Sequence, residues 1–151
     1  MFDINKVNRE IELFIFDVYI AILKIKKVTS SFDNVQDLLH DFTSWDSVIR
    51  EFEIIGEASK HLLKNKLLDK QYQEIVDFRN QIIHEYFGID TDVVWTIVQV
   101  DLSHFEEIIL KLIKDIKIDL KKELIESFIE DNKYLNFIVQ SLEEIKYETK
   151  Q

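Results

Sequence analysis

Hydrophobic residues recur at three- and four-residue steps along almost the whole chain. The clearest case is the segment from Trp45 to about Lys66, whose apolar positions are Val48, Phe52, Ile55, Ala58, Leu62 and Leu63. This period is that of an α-helix that packs one side against a core. The chain has no proline and only 2 glycines, which argues against a turn-rich all-β fold. The pattern therefore predicts an all-α protein.

Three helices are predicted in the first part of the chain. The first runs from Ile4 to Lys27 with Asp3 as its N-cap, and its centre is apolar almost all round. So much apolar surface exceeds what one neighbouring helix needs, and we take it as a hint of oligomer contact. A short helix follows over residues 34–40. Thr43 or Ser44 is expected to cap the helix that contains Trp45.

Two further helices complete a predicted up-and-down bundle over residues 1–117. Asp69 opens the fourth helix, and Gly88 is placed to end it in a left-handed conformation. Asp90 or Thr91 caps a fifth helix that runs to about Lys117.

Residues 118–151 continue the helical pattern with one or two amphipathic helices. We expect them to form a C-terminal extension that packs on the bundle or is exchanged between protomers. The sequence leaves its role open, since a dimer extension, a lid and a partner-binding arm all fit.

The composition limits where the protein works and what it binds. The 151 residues suit one core, and the absence of cysteine fits a reducing, cytoplasmic setting. The first ten residues lack a signal-peptide pattern, and the apolar run from Ile11 to Leu23 is too short to cross a bilayer. We therefore expect no membrane partner.

The net charge of −10 limits any hypothesis of nucleic-acid binding. Polyanions are bound mainly through Lys and Arg, and a broad basic groove is not expected in this chain. A nuclease would need a local cationic site within an acidic surface. No DNA-reading motif is present, so DNA is not an expected partner.

Such a site is offered by Arg79, Asn80, His84 and Tyr86 at the end of the fourth predicted helix. A guanidinium can hold the charge on phosphoryl oxygens, and an imidazole can take or give a proton near neutral pH. Asn80 can orient a phosphate oxygen or the histidine ring. These groups could cleave RNA through its own 2′-hydroxyl without a metal or another cofactor, with Arg79, Asn80 and His84 as catalytic residues.

Helical geometry spreads these groups over an arc. Arg79 and His84 lie roughly 140° apart around the axis, whereas Asn80 and His84 share a face. A second copy of the helix would close the resulting broad cleft, which favours a homodimer with its site at the two-fold interface. The alternative is that Arg79, Asn80, Gln81 and Glu85 form a solvated helix face with His84 at its boundary.

The spacing Arg-x-x-x-x-His-x-Tyr, with a polar residue after the arginine, resembles the signature of HEPN domains. More narrowly, it resembles the HepT toxins that are paired with a minimal nucleotidyltransferase (MNT) antitoxin. The resemblance covers about Val7 to Lys117. Its further segments are Ser47 to Arg50, Ile54 to Ala58, Gly88 to Asp90, Val94 to Gln99, and Asp101 with Leu102.

The resemblance implies a metal-independent endoribonuclease that acts as the toxin of a type VII-like toxin–antitoxin system. In such a pair the antitoxin transfers AMP to the tyrosine that matches Tyr86. An AMP group there would place phosphate beside Arg79 and block the substrate.

Two other functions stay open on the sequence alone. The net acidity and the unmatched C-terminal segment favour a non-catalytic interaction module, or a modification substrate of a nucleotidyltransferase. Glu53 and Glu57, four residues apart, could instead hold Mg²⁺ for a metal-dependent nuclease. A structural role is our first assignment for Glu57, and Gly56 beside it indicates close backbone packing.

Overall fold

The computed structural model describes residues 10–149, and over this range the chain is helical and contains no β-strand. The predicted all-α class is therefore confirmed. The proposed helix start at Ile4 and N-cap at Asp3 lie outside the described residues.

Eight α-helices follow one another along the described chain: α1 Ile11–Thr29, α2 Val35–His40, α3 Phe42–Lys64, α4 Gln73–His84, α5 Thr91–Thr96, α6 Leu102–Lys114, α7 Ile118–Asp131 and α8 Asn136–Thr149. Short 3-10 turns precede and follow α4, at Lys70–Tyr72 and Tyr86–Gly88. A π-helical segment, Ile97–Asp101, joins α5 to α6.

The cap of α3 is Asp41, and the prediction of Thr43 or Ser44 was wrong. The side chain of Asp41 accepts a hydrogen bond of 3.1 Å from the backbone N–H of Ser44. The helix therefore begins at Phe42, one turn earlier than its apolar face indicates, because an N-cap carboxylate satisfies an N–H three residues ahead.

Both predicted ends of the motif helix were also wrong. The backbone carbonyl of Asp69 accepts a 3.0 Å hydrogen bond from the N–H of Tyr72 and so forms a 3-10 turn. Helix α4 itself begins only at Gln73. The helix stops at His84, since Glu85 leaves helical geometry with φ −134° and ψ 41°. Gly88 has no positive φ and belongs to the turn that follows.

The start of α5 follows the prediction. Asp90 accepts bonds of 3.0 and 3.4 Å from the N–H groups of Asp92 and Val93. The helical path then runs on to Lys114, slightly short of the predicted end, with the π segment in its middle. Sequence periodicity did not indicate that irregular turn.

Helix α1 lies at the centre of the fold. It packs against α3 most extensively, and also against α6 and α8. Phe16, Val18, Ile22 and Ile25 are each fully buried. The apolar surplus that we took as a hint of oligomer contact is therefore covered inside the chain by several neighbours, and that interpretation of α1 was wrong.

The C-terminal helices share this core. α7 and α8 pack against each other, and α8 contacts α1. The ring of Phe128 stacks on Phe16 with centroids 5.1 Å apart, and Ile138 and Leu142 are fully buried. The division of the chain at residue 117 stays a prediction, as does exchange between protomers.

None of the helices between residues 10 and 149 has the length and apolar character that crossing a bilayer requires.

Candidate active site

The four motif residues lie at the C-terminal end of α4 and in the turn after it. Asn80 and His84 are exposed on the last turns of the helix, and Tyr86 is 37% exposed at the start of the 3-10 turn. The apolar side of α4 faces inward, with Val76 and Ile82 buried. That buried side fixes which motif side chains solvent can reach.

Arg79 lies deeper than its neighbours and is held by its own chain. Its Nη2 is 3.1 Å from Oε2 of Glu57, which belongs to the neighbouring helix α3. Its Nη1 donates a 3.0 Å hydrogen bond to Oδ1 of Asn80. The guanidinium is therefore fixed between a carboxylate and an amide, a charge-assisted arrangement that orients a planar cation.

Gly56 makes this position possible. A β-carbon on Gly56 would lie 2.6 Å from Cγ of Arg79 and nearer still to its Cβ. The Cβ and Cγ atoms of Arg79 thus occupy the space that a side chain at position 56 of α3 would fill. The close packing indicated by a glycine inside a helix is confirmed, and it positions a motif residue.

Arg79 also lines a cleft of about 250 Å³ between α1, α3 and α4. Arg50, Glu53 and Glu57 of α3 line it too, so the cleft carries charges of both signs. His84 is not among its lining residues, in keeping with the 140° or so that separates it from Arg79 around the helix. Within the described residues, this cleft therefore does not hold both groups.

A second cleft, of about 360 Å³, lies between α3, α4 and the π segment. Phe52, Phe78 and Phe105 make it mainly apolar, and none of the four motif residues lines it. Glu74, Asp101 and His104 also line this cleft, but none of its lining residues is an arginine or a lysine that could bind phosphate.

Tyr86 has a partner that the sequence analysis did not foresee. Its hydroxyl donates a hydrogen bond to Oδ1 of Asp46 on α3. This hydrogen bond raises the pKa of the Tyr86 phenol, and partial burial and the nearby negative charges of Asp46 and Glu53 act in the same direction. The carboxylate favours the protonated phenol because ionisation would place two negative charges in contact.

Asp46 could have been found from its spacing. Asp46, Arg50, Glu53 and Glu57 follow at steps of four, three and four residues, which places them on one face of α3. That face meets the motif at both ends, with Asp46 opposite Tyr86 and Glu57 opposite Arg79.

The two carboxylates of the metal hypothesis are both paired with arginines. Glu53 lies 3.6 Å from Nη1 of Arg50, and Glu57 pairs with Arg79. Within residues 10–149, no cluster of three or more acidic or histidine side chains is arranged to hold a metal ion. The structural role assigned to Glu57 agrees with its contact to Arg79.

The chain is similar to a known protein family over much of its length. A family model described as ribonuclease HepT-like matches residues 19–112, which include α4 and all four motif residues. No solved structure matches the chain.

Relatives agree with that match. A Methanocaldococcus jannaschii protein named as an RNase is 32% identical over 103 residues, covering 66% of this chain and 94% of that protein. A Thermococcus cleftensis protein named as a ribonuclease HepT is 39% identical over 70 residues, covering 44% and 64% of the two chains. The chain belongs to the ribonuclease HepT-like family, which confirms at family level the all-helical fold and the ribonuclease class expected from its sequence.

Proposed function

We propose that the chain is a metal-independent endoribonuclease whose catalytic residues are Arg79, Asn80 and His84. The observation that carries this proposal is the position of the motif. It lies inside the family match, at a helix end where His84 and Asn80 are exposed and Arg79 is held in place. Solvent-accessible groups on a rigid helix suit an RNA substrate.

The proposed reaction uses the 2′-hydroxyl of the RNA as its nucleophile. A base removes the 2′ proton, the oxygen attacks the adjacent phosphorus, and the bond to the 5′-oxygen breaks. His84 transfers protons in this scheme, and Arg79 stabilises the extra charge on the phosphoryl oxygens. The products are a 2′,3′-cyclic phosphate and a 5′-hydroxyl end.

A homodimer supplies what one chain lacks. His84 does not line the cleft of Arg79, and in a dimer groups from a second subunit would complete the surroundings of a phosphodiester. The surface beside the motif supports this arrangement, since Ile83 is 46% exposed and Phe87 is 100% exposed. Apolar side chains left in solvent at a functional surface are typical of an interface.

The same surface suits control by an MNT-type nucleotidyltransferase, as expected of the toxin in a cytoplasmic toxin–antitoxin pair. The hydroxyl of Tyr86 lies at an exposed turn, where a partner enzyme could reach it. Transfer of AMP from ATP to the Tyr86 oxygen, with release of pyrophosphate, would replace the hydrogen bond to Asp46 with a phosphodiester beside that carboxylate. The added negative charge would also oppose an RNA phosphate near the site.

The test uses a labelled RNA and the same sequence with 2′-O-methyl riboses, both incubated with the chain in EDTA. We expect cleavage of the first only, with 2′,3′-cyclic phosphate ends on the products. Cleavage of the methylated RNA would overturn 2′-hydroxyl attack. Activity that disappears in EDTA and returns with Mg²⁺ would favour the Glu53/Glu57 site instead.

A non-catalytic interaction module is the second candidate, and one contact favours it. Arg79 is already paired with Glu57 and Asn80, as expected of an arginine that only joins α3 to α4. This candidate predicts no cleavage of either RNA, together with stable binding to a nucleotidyltransferase.

A further inference from the structure

Both terminal nitrogens of the Arg79 guanidinium have a partner before any substrate arrives. Nη2 is paired with Glu57 and Nη1 with Asn80. Nε is buried and, within the described part of the chain, has no hydrogen-bond partner. A phosphate that approaches this guanidinium therefore meets terminal nitrogens that already hold acceptors.

The base of the arginine cannot move away from these partners easily. Its Cβ and Cγ lie against Gly56, in space with no room for a β-carbon. A ligand that takes the guanidinium edge facing Glu57 must therefore displace this carboxylate, because the arginine itself is packed between α3 and α4.

Glu57 is an acceptor that can leave. Its side chain is 47% exposed, compared with 28% for Arg79. It also lies 3.7 Å from Nε2 of His61, whose ring stacks on Phe14 with centroids 4.1 Å apart. A carboxylate at the rim of the cleft can rotate into solvent, and this histidine offers it a second partner.

We propose that Glu57 is an internal competitor for phosphate, occupying in the free chain the guanidinium edge of Arg79 that an RNA phosphate takes on binding. This inference rests on the proposed function, since it assigns to Arg79 the phosphate contact of the ribonuclease. Carboxylate and phosphate oxygens use the same donor fork of arginine, so they exclude each other. An enzyme built in this way binds RNA only where further contacts offset the loss of the ion pair.

The test compares Glu57→Gln with Glu53→Gln. Both changes remove one negative charge from the same face of α3, and both residues line the cleft, but Glu53 is paired with Arg50. Binding of a fluorescein-labelled single-stranded RNA is measured by anisotropy in the His84→Ala background, which prevents cleavage. Thermal melting of each variant checks that it is folded.

We expect Glu57→Gln to bind the RNA about two- to fivefold more tightly than Glu53→Gln, the range for the loss of one exposed ion pair. Adding Arg79→Ala should abolish this difference, because the two residues act through one contact. Inorganic phosphate, followed by the NMR signal of Arg79 Nε–H, should likewise bind more tightly to Glu57→Gln. The phosphate titration needs no Arg79 variant.

Equal affinity of the two glutamine variants, or weaker binding by Glu57→Gln, would overturn the inference and indicate that Glu57 only positions Arg79. A different result would overturn the proposed function. If the wild type cleaves no RNA but Glu57→Gln gains affinity for RNA and phosphate, the competitor role stands and the ribonuclease proposal falls.

Discussion

At the scale of single residues, the side chain of Arg79 leaves no room for a β-carbon on the residue that faces it. Gly56 lies inside α3, where alanine would ordinarily be favoured by about 1 kcal/mol. The contact with Arg79 outweighs this preference, because the methyl group of an alanine at position 56 would overlap Cβ and Cγ of Arg79.

Gly56→Ala is therefore expected to lower the free energy of unfolding by about 1–3 kcal/mol, the usual cost of overpacking. The measurement is urea denaturation followed by circular dichroism. Gly88→Ala is the matched control, since its new β-carbon would be 4.0 Å from the nearest side chain. A Gly56→Ala chain as stable as the control would contradict the tight contact with Arg79.

The hydrogen bond from Tyr86 to Asp46 gives a second prediction at this scale. Replacing Asp46 by Asn removes the negative charge that raises the pKa of Tyr86, so this pKa should fall toward its ordinary value. Ultraviolet titration measures the change, and Tyr86→Phe identifies the signal. Asp37→Asn, which alters a carboxylate near Asn34 instead, should leave the titration unchanged.

At the scale of helices, α8 contributes buried side chains to the core. Leu142 and Ile138 are fully buried, and α8 contacts both α7 and the central α1. Deletion of a buried leucine side chain costs both its transfer from water and the cavity that remains.

Leu142→Ala should accordingly destabilise the whole chain by about 2–5 kcal/mol, with one unfolding transition. Leu67→Ala is the control, since Leu67 is 37% exposed and should lose much less stability. A separate early transition for the C-terminal helices would show that residues 118–151 form an independent unit. An unchanged midpoint would contradict the burial of Leu142.

Sequence patterns predicted the helices better than their ends. Period alone located the apolar face of α3, but the cap at Asp41 depends on a hydrogen bond that period does not encode. Gly88 looked like a helix terminator, yet α4 had already ended at His84. The π segment was not foreseen, because one extra residue in a turn leaves little trace in an apolar pattern.

At the scale of the whole molecule, long-range contacts are what the sequence analysis missed. The motif was visible in the chain, and so was the glycine of α3, but the contact between them joins residues of different helices. The same holds for Tyr86 and Asp46. The apolar surplus of α1 was misread for this reason, since its coverage by α3, α6 and α8 depends on the complete fold.

Tyr19, a buried tyrosine of α1, makes the stability of the fold depend on pH. Burial, with the nearby charge of Glu106, raises the pKa of Tyr19 to about 12, although its hydrogen bond with Ser141 acts in the opposite direction. The folded chain therefore holds this proton more tightly than the unfolded chain, whose tyrosine ionises near pH 10. The stabilisation is complete below pH 10 and is lost as pH rises toward 12.

Between pH 10 and 12, the ionisation of Tyr19 in the unfolded chain should lower the free energy of unfolding of the wild type by about 2–3 kcal/mol. The Tyr19→Phe variant has no hydroxyl to ionise at this position. The stability difference between the two proteins should therefore change with pH by that amount. Urea denaturation at several pH values measures it, and lysine ionisation affects both proteins alike. A difference independent of pH would contradict the burial of the phenol.

The central claim is that Arg79 and His84 cleave RNA without a metal, and single-turnover cleavage in EDTA tests it most directly. We expect His84→Ala and Arg79→Ala each to slow the wild-type rate at least about 100-fold. The exposed histidine variant His40→Ala should keep the wild-type rate. If all three variants cleave as fast as the wild type, the motif at the end of α4 is not the active site.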